Sequence, residues 1–385
     1  MSNLDQFRAE TRAFLDENCP PEMREPIHSE SDLCWGGRNW VFKSDAQRRW
    51  LEIMAGRGWT VPDWPKDYGG GGLSPAEASV LKEELQRIGA RPPLTSFGIS
   101  MLGPALLKFG TEVQKRHYLS QIGRGEIRWC QGYSEPGAGS DLAGLQTKAE
   151  DKGDHWLVNG QKVWTSYADK ADWIFCLVRT SAESKQGGIT FLLFDMLSPG
   201  VSTKPILLIS GSSPFCETFF DDVKVPKDQI VGEVNKGWDV AKYLLGHERE
   251  MIAGMGLGTS GASVTLGPVI KPADPLLRAE IAAFDVDALS FAAMSERFAA
   301  MWKAGEAHPA SASLMKYAGT ELNKRRNALV MAGGGSDALD WAGERSHRGK
   351  AARDWLRSKG NSIEGGTSEI QLNIIAKHIL HLPGS

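Results

Sequence analysis

A loop rich in small residues is the first candidate for chemistry in this sequence. Residues 131–141 have the sequence Gln-Gly-Tyr-Ser-Glu-Pro-Gly-Ala-Gly-Ser-Asp. Gly137 and Gly139 lack a Cβ, so backbone N–H groups there can approach a ligand closely. Ser134 and Ser140 add hydroxyl groups beside them. From composition alone an ordinary Gly/Pro turn is an equally good interpretation, because such loops are common.

A second candidate is the segment 161–166, Gln-Lys-Val-Trp-Thr-Ser, which has a strand-like composition. Trp164 could offer a flat face to the ring of a ligand, and Thr165 and Ser166 could bind the polar edge of that ring. Taken alone, this segment is better explained by a core tryptophan on a half-buried strand.

Motifs for metals and for phosphate loops are missing from the sequence. The eight histidines lack HExxH-like spacing and the five cysteines lack CxxC spacing, so we expect neither a metal site nor a disulfide framework. The glycines at 69–72 are not followed by the Gly-Lys-Ser/Thr ending of a phosphate loop, and a flexible turn is the simpler interpretation.

Composition narrows the class of protein. The 385 residues include 44 Lys and Arg and 47 Asp and Glu, a net charge of -3, and such a chain is not built to bind nucleic acid in general. No apolar run approaches the roughly 18 residues of a membrane span. The charged N-terminus lacks the apolar segment of a secretory signal, and the scattered cysteines suit a reducing compartment. We therefore expect a cytoplasmic protein.

Sequence periodicity places the two candidate segments between helical ends. Capping signals at Ser44, Ser74 and Thr111 predict helices in the first third. In the middle third, strand-like runs flank Asn159-Gly160, which predicts a β-hairpin. The strand-like runs that follow have no helices between them, which favours an antiparallel sheet or small barrel over a Rossmann fold. Helical patterns return at 238–261, 279–304, 310–332, 351–355 and 367–380.

Four motifs together resemble the acyl-CoA dehydrogenase family. They are the loop EPGAGSD at 135–141, the segment NGQKVWTS at 159–166, His-Glu-Arg at 247–249 and IEGGTSEIQ at 363–371. The resemblance covers essentially the whole chain. It is strongest to bacterial members such as pimeloyl-CoA dehydrogenase large subunits and steroid side-chain dehydrogenases.

The resemblance implies an α+β fold of three domains: an N-terminal all-α domain at 1–125, a middle β-barrel or sheet domain at 126–235 and a C-terminal four-helix bundle at 236–385. It also implies FAD between the middle and C-terminal domains, with an acyl-CoA thioester on the other face of the flavin. The residues implied to bind the cofactor are Gln131, Tyr133, Ser134, Gly139, Ser140, Trp164, Thr165, Ser166, Thr367 and Glu369. The residues implied to contact the substrate are Ser140 and Arg249.

The sequence departs from the family at the catalytic base. Much of the family has a Glu immediately before the Gly-Thr of the C-terminal motif, but this chain has Gly365 there and Glu364 one residue too early. Other members carry the base on the first C-terminal helix, where Glu248 matches. We therefore expect Glu248 to take the α-proton and the backbone N–H of Gly365 to bind the thioester carbonyl.

Two further departures concern assembly. Residues 267–275 lack the family's Arg-x-x-Phe-Gly, and Val330 stands where a Gln precedes Gly333 and Gly334. In the family both elements complete the FAD site across a subunit interface, so the chain is expected in a homo- or hetero-oligomer, a dimer of dimers, in which another subunit can complete that site. An electron-transfer flavoprotein is the implied electron acceptor. A non-catalytic partner subunit, or a flavin monooxygenase or desulfinase on the same fold, remains an alternative.

Overall fold

A computed structural model describes residues 3–255, 265–267, 270, 272–344 and 346–383, with the backbone alone at 247–255 and 302–303. The described chain is helical, then β, then helical, which confirms the predicted α+β class. It divides into two compact units. The first comprises Met1–Pro205 with Pro214–Leu244, and the second comprises Ile206–Ser213 with Leu245–Ser385.

The helices of the first third begin where the sequence carries capping signals. Ser74 caps its helix, because its hydroxyl accepts from the Glu77 N–H at 3.3 Å while the Glu77 carboxylate accepts from the Ser74 N–H at 2.8 Å. Trp50 and Leu81 are among the buried side chains that these helices share. The helices are α1 (Asn3–Asn18), α2 (Asp45–Gly56), α3 (Pro75–Arg87), α4 (Gly103–Phe109), α5 (Glu112–Gln114) and α6 (Ser120–Arg124), with π-helical turns at Gly98–Leu102 and Lys115–Leu119.

A mixed seven-stranded sheet forms the middle of the chain. Its strands are β1 (Trp129–Gly132), β2 (Lys148–Asp151), β3 (His155–Ser166), β4 (Trp173–Arg179), β5 (Ile189–Asp195), β6 (Val201–Ile206) and β7 (Phe215–Pro226). The strand order is β1-β4-β2-β3-β7-β6, and β5 pairs with β4. Because β1 and β2 both run parallel to β4, the sheet is not purely antiparallel as predicted.

The predicted hairpin at Asn159-Gly160 is wrong. Both residues lie inside the continuous strand β3, at a bulge in its pairing with β7. The Asn159 side chain pairs with Asp222 across the strands, donating to its carboxylate and accepting from its N–H, both at 2.9 Å. Gly160 has φ 150°, and a Cβ there would lie 2.6 Å from the Thr147 hydroxyl oxygen. The glycine therefore allows a close strand approach instead of a turn.

The last third is helical again. Phe284, Ile281 and Leu329 form a buried cluster between α8 and α9. The predicted helix at 238–261 is present up to Met255, and the rest of that prediction lies outside the described residues, as does Lys271 in the departing segment 267–275. In the described part of the chain, no helix is both long and apolar enough to cross a membrane. The helices are α7 (Gly237–Met255), α8 (Pro275–Lys303), α9 (Ser311–Gly334), α10 (Lys350–Ser358) and α11 (Ser368–His378).

Candidate active site

The small-residue loop leaves β1 and folds into a tight turn. The backbone N–H of Glu135 donates to the Ala138 carbonyl at 2.9 Å, and the Ala138 N–H donates back at 3.0 Å. A Cβ at Gly137 or Gly139 would meet no heavy atom of the described residues within 4 Å, and neither glycine has a positive φ. Packing against the described residues therefore does not require these glycines, whereas the close approach of an outside molecule would.

A buried ion pair fixes this loop to β3. Lys162 Nζ lies 2.8 Å from Glu135 Oε1 and donates to the Tyr133 carbonyl at 3.1 Å. The Glu135 carboxylate also accepts from the backbone N–H groups of Gln146 and Thr147, at 2.6 and 2.9 Å. Burial alone would raise the pKa of Glu135, but Lys162 and these N–H donors lower it below its usual value. Glu135 is thus held as a structural anion.

This ion pair is a part of the site that was not predicted, although the sequence carries a signal for it. Lys162 has the same parity along β3 as Trp156 and Val158, both of which face inward. A lysine at an inward strand position requires a buried partner, because an isolated buried ammonium is costly.

Trp164 is not the core tryptophan that its segment alone suggested. A bulge between Lys162 and Thr165 interrupts the pairing of β3 with β7, and the Trp164 backbone adopts φ 60°. Its ring is 55% exposed and packs edge-on against Phe215 at 6.0 Å. A bulky residue at positive φ costs about 1–3 kcal/mol and is concentrated at functional sites. The bulge thus presents an indole face to the outside.

The neighbours of Trp164 provide the polar groups. Thr165 is buried, and its hydroxyl has no hydrogen-bond partner among the described residues. Ser166 is half-buried. The Ser134 carbonyl accepts from the Val163 N–H at 2.9 Å, so the loop and the Trp164 segment lie side by side.

The remaining loop residues differ in exposure. Gly139 and Ser140 are exposed, Gln131 is half-buried, and Tyr133 is buried edge-on against Phe175 at 6.2 Å. The Tyr133 ring is packed into the sheet, and the hydrogen bond between Ser134 and Val163 is the contact that places the loop beside the Trp164 segment in the described structure.

In the second unit, a double-glycine turn precedes α11. Gly365 and Gly366 have φ 64° and 90°. Thr367 caps α11, because its hydroxyl accepts from the Ile370 N–H at 3.3 Å. Glu369 is exposed in the first turn of α11, and its own backbone N–H and the Thr367 hydroxyl lower its pKa. Gly365, Thr367 and Glu369 thus lie together at one helix end.

Of the two candidate bases, the structure describes the side chain of Glu364 but not that of Glu248. The Glu364 carboxylate is engaged by Arg357 Nη2 at 2.7 Å and by Asn361 Nδ2 at 2.5 Å, so it serves as a local anchor. Positions 248 and 249 lie within α7, but the side chains of Glu248 and Arg249 are outside the described part of the chain. The assignment of Glu248 stays a prediction.

Three family models together match nearly the whole chain. They describe the N-terminal, middle and C-terminal domains of acyl-CoA dehydrogenases and match residues 2–126, 130–223 and 235–380.

Several individual relatives match this chain over its full length. The acyl-CoA dehydrogenase IpdE1 of Mycobacterium tuberculosis is 35% identical, over 100% of this chain and 99% of its own. The solved structure of the Tcur3481-Tcur3483 steroid ACAD is similar with a TM-score of 0.76 and 28% identity, covering 100% of this chain and 99% of the other. The ChsE4-ChsE5 complex from Mycobacterium tuberculosis gives a TM-score of 0.72 and 29% identity, with the same coverage. The site motifs, the fold and these matches agree, and the chain belongs to the acyl-CoA dehydrogenase family.

Proposed function

We propose that this protein oxidises an acyl-CoA thioester to the 2,3-enoyl-CoA, with FAD as its cofactor and Glu248 as the base. Membership of the family makes it an acyl-CoA dehydrogenase, an oxidoreductase that acts on a CH–CH bond. The observation that carries the proposal is the exposed Trp164 on its strained bulge, beside a Thr165 hydroxyl and a glycine loop that have no contacting partner among the described residues at the hydroxyl and at the missing Cβ positions.

The residues of the first unit suit a flat ring with a polar edge. The Trp164 face would cover the ring, and Thr165 and Ser166 would bind its edge. Backbone groups around Ser134, and the other loop residues Gln131, Tyr133, Gly139 and Ser140, would line the flavin or the pantetheine. Thr367 and Glu369 would serve the adenosine side. FAD, when bound, supplies the acceptor for the β-hydride.

The protein's own groups would handle the proton and the carbonyl. Glu248 would accept the α-proton of the thioester, and Arg249 would lie near the CoA. The Gly365 N–H would donate a hydrogen bond to the thioester carbonyl and stabilise the developing enolate. Support for Glu248 over Glu364 comes from the ion pair that already engages the Glu364 carboxylate.

For assembly, we infer an oligomer with a second, different subunit, and an electron-transfer flavoprotein as acceptor. The inference is supported by the altered sequence at 267–275 and by two similar structures, the Tcur3481-Tcur3483 steroid ACAD and the ChsE4-ChsE5 complex, each of which is named for a pair of proteins. As part of this proposal, the N-terminal, middle and C-terminal domains comprise residues 1–125, 126–235 and 236–385.

The test is anaerobic flavin bleaching against a panel of straight, branched, dicarboxylic and steroid-derived acyl-CoAs, with the chain purified alone and with co-expressed neighbours. We expect bound FAD by mass spectrometry and bleaching by at least one thioester. FAD without bleaching by any thioester would favour the monooxygenase or desulfinase alternative. Absence of FAD from every preparation would favour a non-catalytic subunit.

A further inference from the structure

Two buried polar side chains hold the double-glycine turn in the second unit. Lys316 on α9 is fully buried, and its Nζ donates to the Gly366 carbonyl at 2.8 Å. Gln371 on α11 is also fully buried, and its Nε2 donates to the Gly365 carbonyl at 2.9 Å and to the Gly366 carbonyl at 3.3 Å. Both carbonyls of the turn are therefore fixed by side chains from two different helices.

Lys316 belongs to a polar seam along α9. Lys316, Thr320, Asn323 and Asn327 follow one another at the spacing of a single helix face. Asn323 donates to the Asn361 side chain at 2.7 Å, and Asn361 in turn donates to Glu364. The segment before α11 is thus held by hydrogen bonds from the side of α9.

Burying this lysine is costly. Burial lowers the pKa of Lys316, although the nearby carboxylates of Glu364 and Glu321 oppose the shift. A methionine or leucine would fill the same space without a desolvation cost. Because a costly buried amine is retained for a hydrogen bond to the Gly366 carbonyl, we infer that the position of this backbone matters to the protein.

The carbonyl groups of this turn and the Gly365 N–H differ in their hydrogen bonding. Within the described part of the chain the Gly365 N–H donates no hydrogen bond, whereas the carbonyls of Gly365 and Gly366 both accept one. Because peptide units are planar, fixing these carbonyls also fixes the N–H groups of Gly366 and Thr367. The Gly365 N–H belongs to the preceding peptide, which is joined to the fixed turn through the Gly365 backbone at φ 64°. On its other side this peptide is bounded by Glu364, whose carboxylate accepts from Arg357 and Asn361.

From this geometry we propose that Lys316 and Gln371 are positioning residues, which hold the Gly365–Gly366 turn so that the Gly365 N–H is aimed at the thioester carbonyl. The inference rests on the proposed function. Neither side chain touches the reacting atoms in this role. Each acts through the backbone of the turn.

The experiment uses Lys316→Met, Gln371→Leu and Lys316→Arg in the FAD-loaded protein, co-expressed with its partner where one is needed. Lys324→Met is the matched control, because it removes the same charge from the same helix, where Lys324 pairs only with Glu321 in the described structure. Two quantities are measured: single-turnover flavin reduction, and the infrared band of the 13C-labelled thioester carbonyl of bound enoyl-CoA, with affinity determined by equilibrium titration.

We expect Lys316→Met and Gln371→Leu to slow reduction about 10²-fold, the cost of a displacement of about 1 Å in a catalytic group. The carbonyl band should lie at higher frequency than in the wild type because its hydrogen bond is weaker, while affinity changes little. Lys316→Arg retains a charged donor and should recover part of the rate. Lys324→Met should behave as the wild type.

The outcomes separate the two proposals. A wild-type protein that oxidises no acyl-CoA overturns the proposed function and this inference with it. An active wild type with unchanged rates and carbonyl bands in Lys316→Met and Gln371→Leu overturns only the positioning role. If Lys316→Met fails to fold, as judged by circular dichroism, Gln371→Leu decides the matter alone.

Discussion

Trp164 keeps its indole exposed at the expense of an unfavourable backbone conformation. We predict that Trp164→Leu lowers the amount of FAD retained on purification and weakens FAD binding by about two- to tenfold, since a stacked aromatic contact contributes about 0.5–1.5 kcal/mol beyond its buried area. Thermal stability without FAD should not fall, because the strained ring is not part of the core. Equilibrium titration of the apoprotein with FAD measures the effect.

Trp341→Leu is the control for that change, since Trp341 is also partly exposed but packs against Arg353 in the second unit. Equal FAD affinity in Trp164→Leu and in the wild type would contradict the assignment of the indole face.

The choice of base is also decided at single residues. We predict that Glu248→Gln slows single-turnover flavin reduction by about 10²–10⁴-fold, the usual contribution of a general base, while acyl-CoA still binds. Glu364→Gln should have a small effect, because the amide oxygen can still accept from Arg357, one of the two donors that hold the carboxylate now, and because the proposed base lies elsewhere. The reverse ranking would assign the base to the segment before α11. No effect of either change would argue against proton abstraction by a carboxylate.

At the scale of elements, helix starts could be predicted from local sequence signals. The features that depend on contacts between distant parts of the chain could not. The cap at Ser74 needs only residues within its own turn, and the structure confirms it. Asn159-Gly160 is locally a turn sequence, but β3 continues through it between β2 and β7, and the two residues lie at a bulge in the pairing with β7, which is far along the chain. Lys316 could not be assigned from sequence, because the carbonyl it binds is 50 residues away.

One buried carboxylate joins α1 to α3 through ion pairs. Glu84 is 2% exposed and accepts from Arg8, Arg12 and Arg87. We predict that Glu84→Gln lowers the free energy of unfolding by about 1–3 kcal/mol, because charge-assisted bonds are lost from a buried group. Glu83→Gln, at the exposed neighbour whose one ion pair in the described structure is with Arg8, should cost at most about 1 kcal/mol. Urea denaturation of both variants compares them.

This carboxylate also has a defined pH dependence. Hydrogen bonds from Arg12, opposed by burial and reinforced by Arg87 and Arg8, lower the pKa of Glu84 from 4.5 to about 2. The folded pKa lies below the unfolded one, so the stabilisation is fully present above pH 4.5 and is lost as the pH falls toward about 2. Unfolding free energies measured across this window should fall more steeply for the wild type than for Glu84→Gln. If the unfolding free energies of the two proteins instead fell in parallel with pH, the lowered pKa of Glu84 would be contradicted.

At the scale of the whole molecule, two family elements that reach across a subunit interface are missing from the sequence. Val330 replaces the expected Gln, and in the structure its side chain packs against the buried cluster around Phe284 and Leu329, inside its own unit. Residues 267–275 have no arginine. A second copy of this chain therefore lacks both groups with which relatives complete the neighbouring cofactor site.

We accordingly predict that the chain purified alone carries less than one FAD per subunit or turns over poorly. Co-expression with the proposed second subunit should raise the FAD content and the turnover rate. Binding of a partner or cofactor to the folded state stabilises that state in proportion to occupancy, so the melting temperature should rise together with FAD content. FAD absorbance per chain, subunit mass by native mass spectrometry and acyl-CoA turnover are measured on the same samples. A homotetramer with one FAD per chain and full turnover would contradict the prediction, and it would indicate that another basic residue, such as Arg278, replaces the missing arginine.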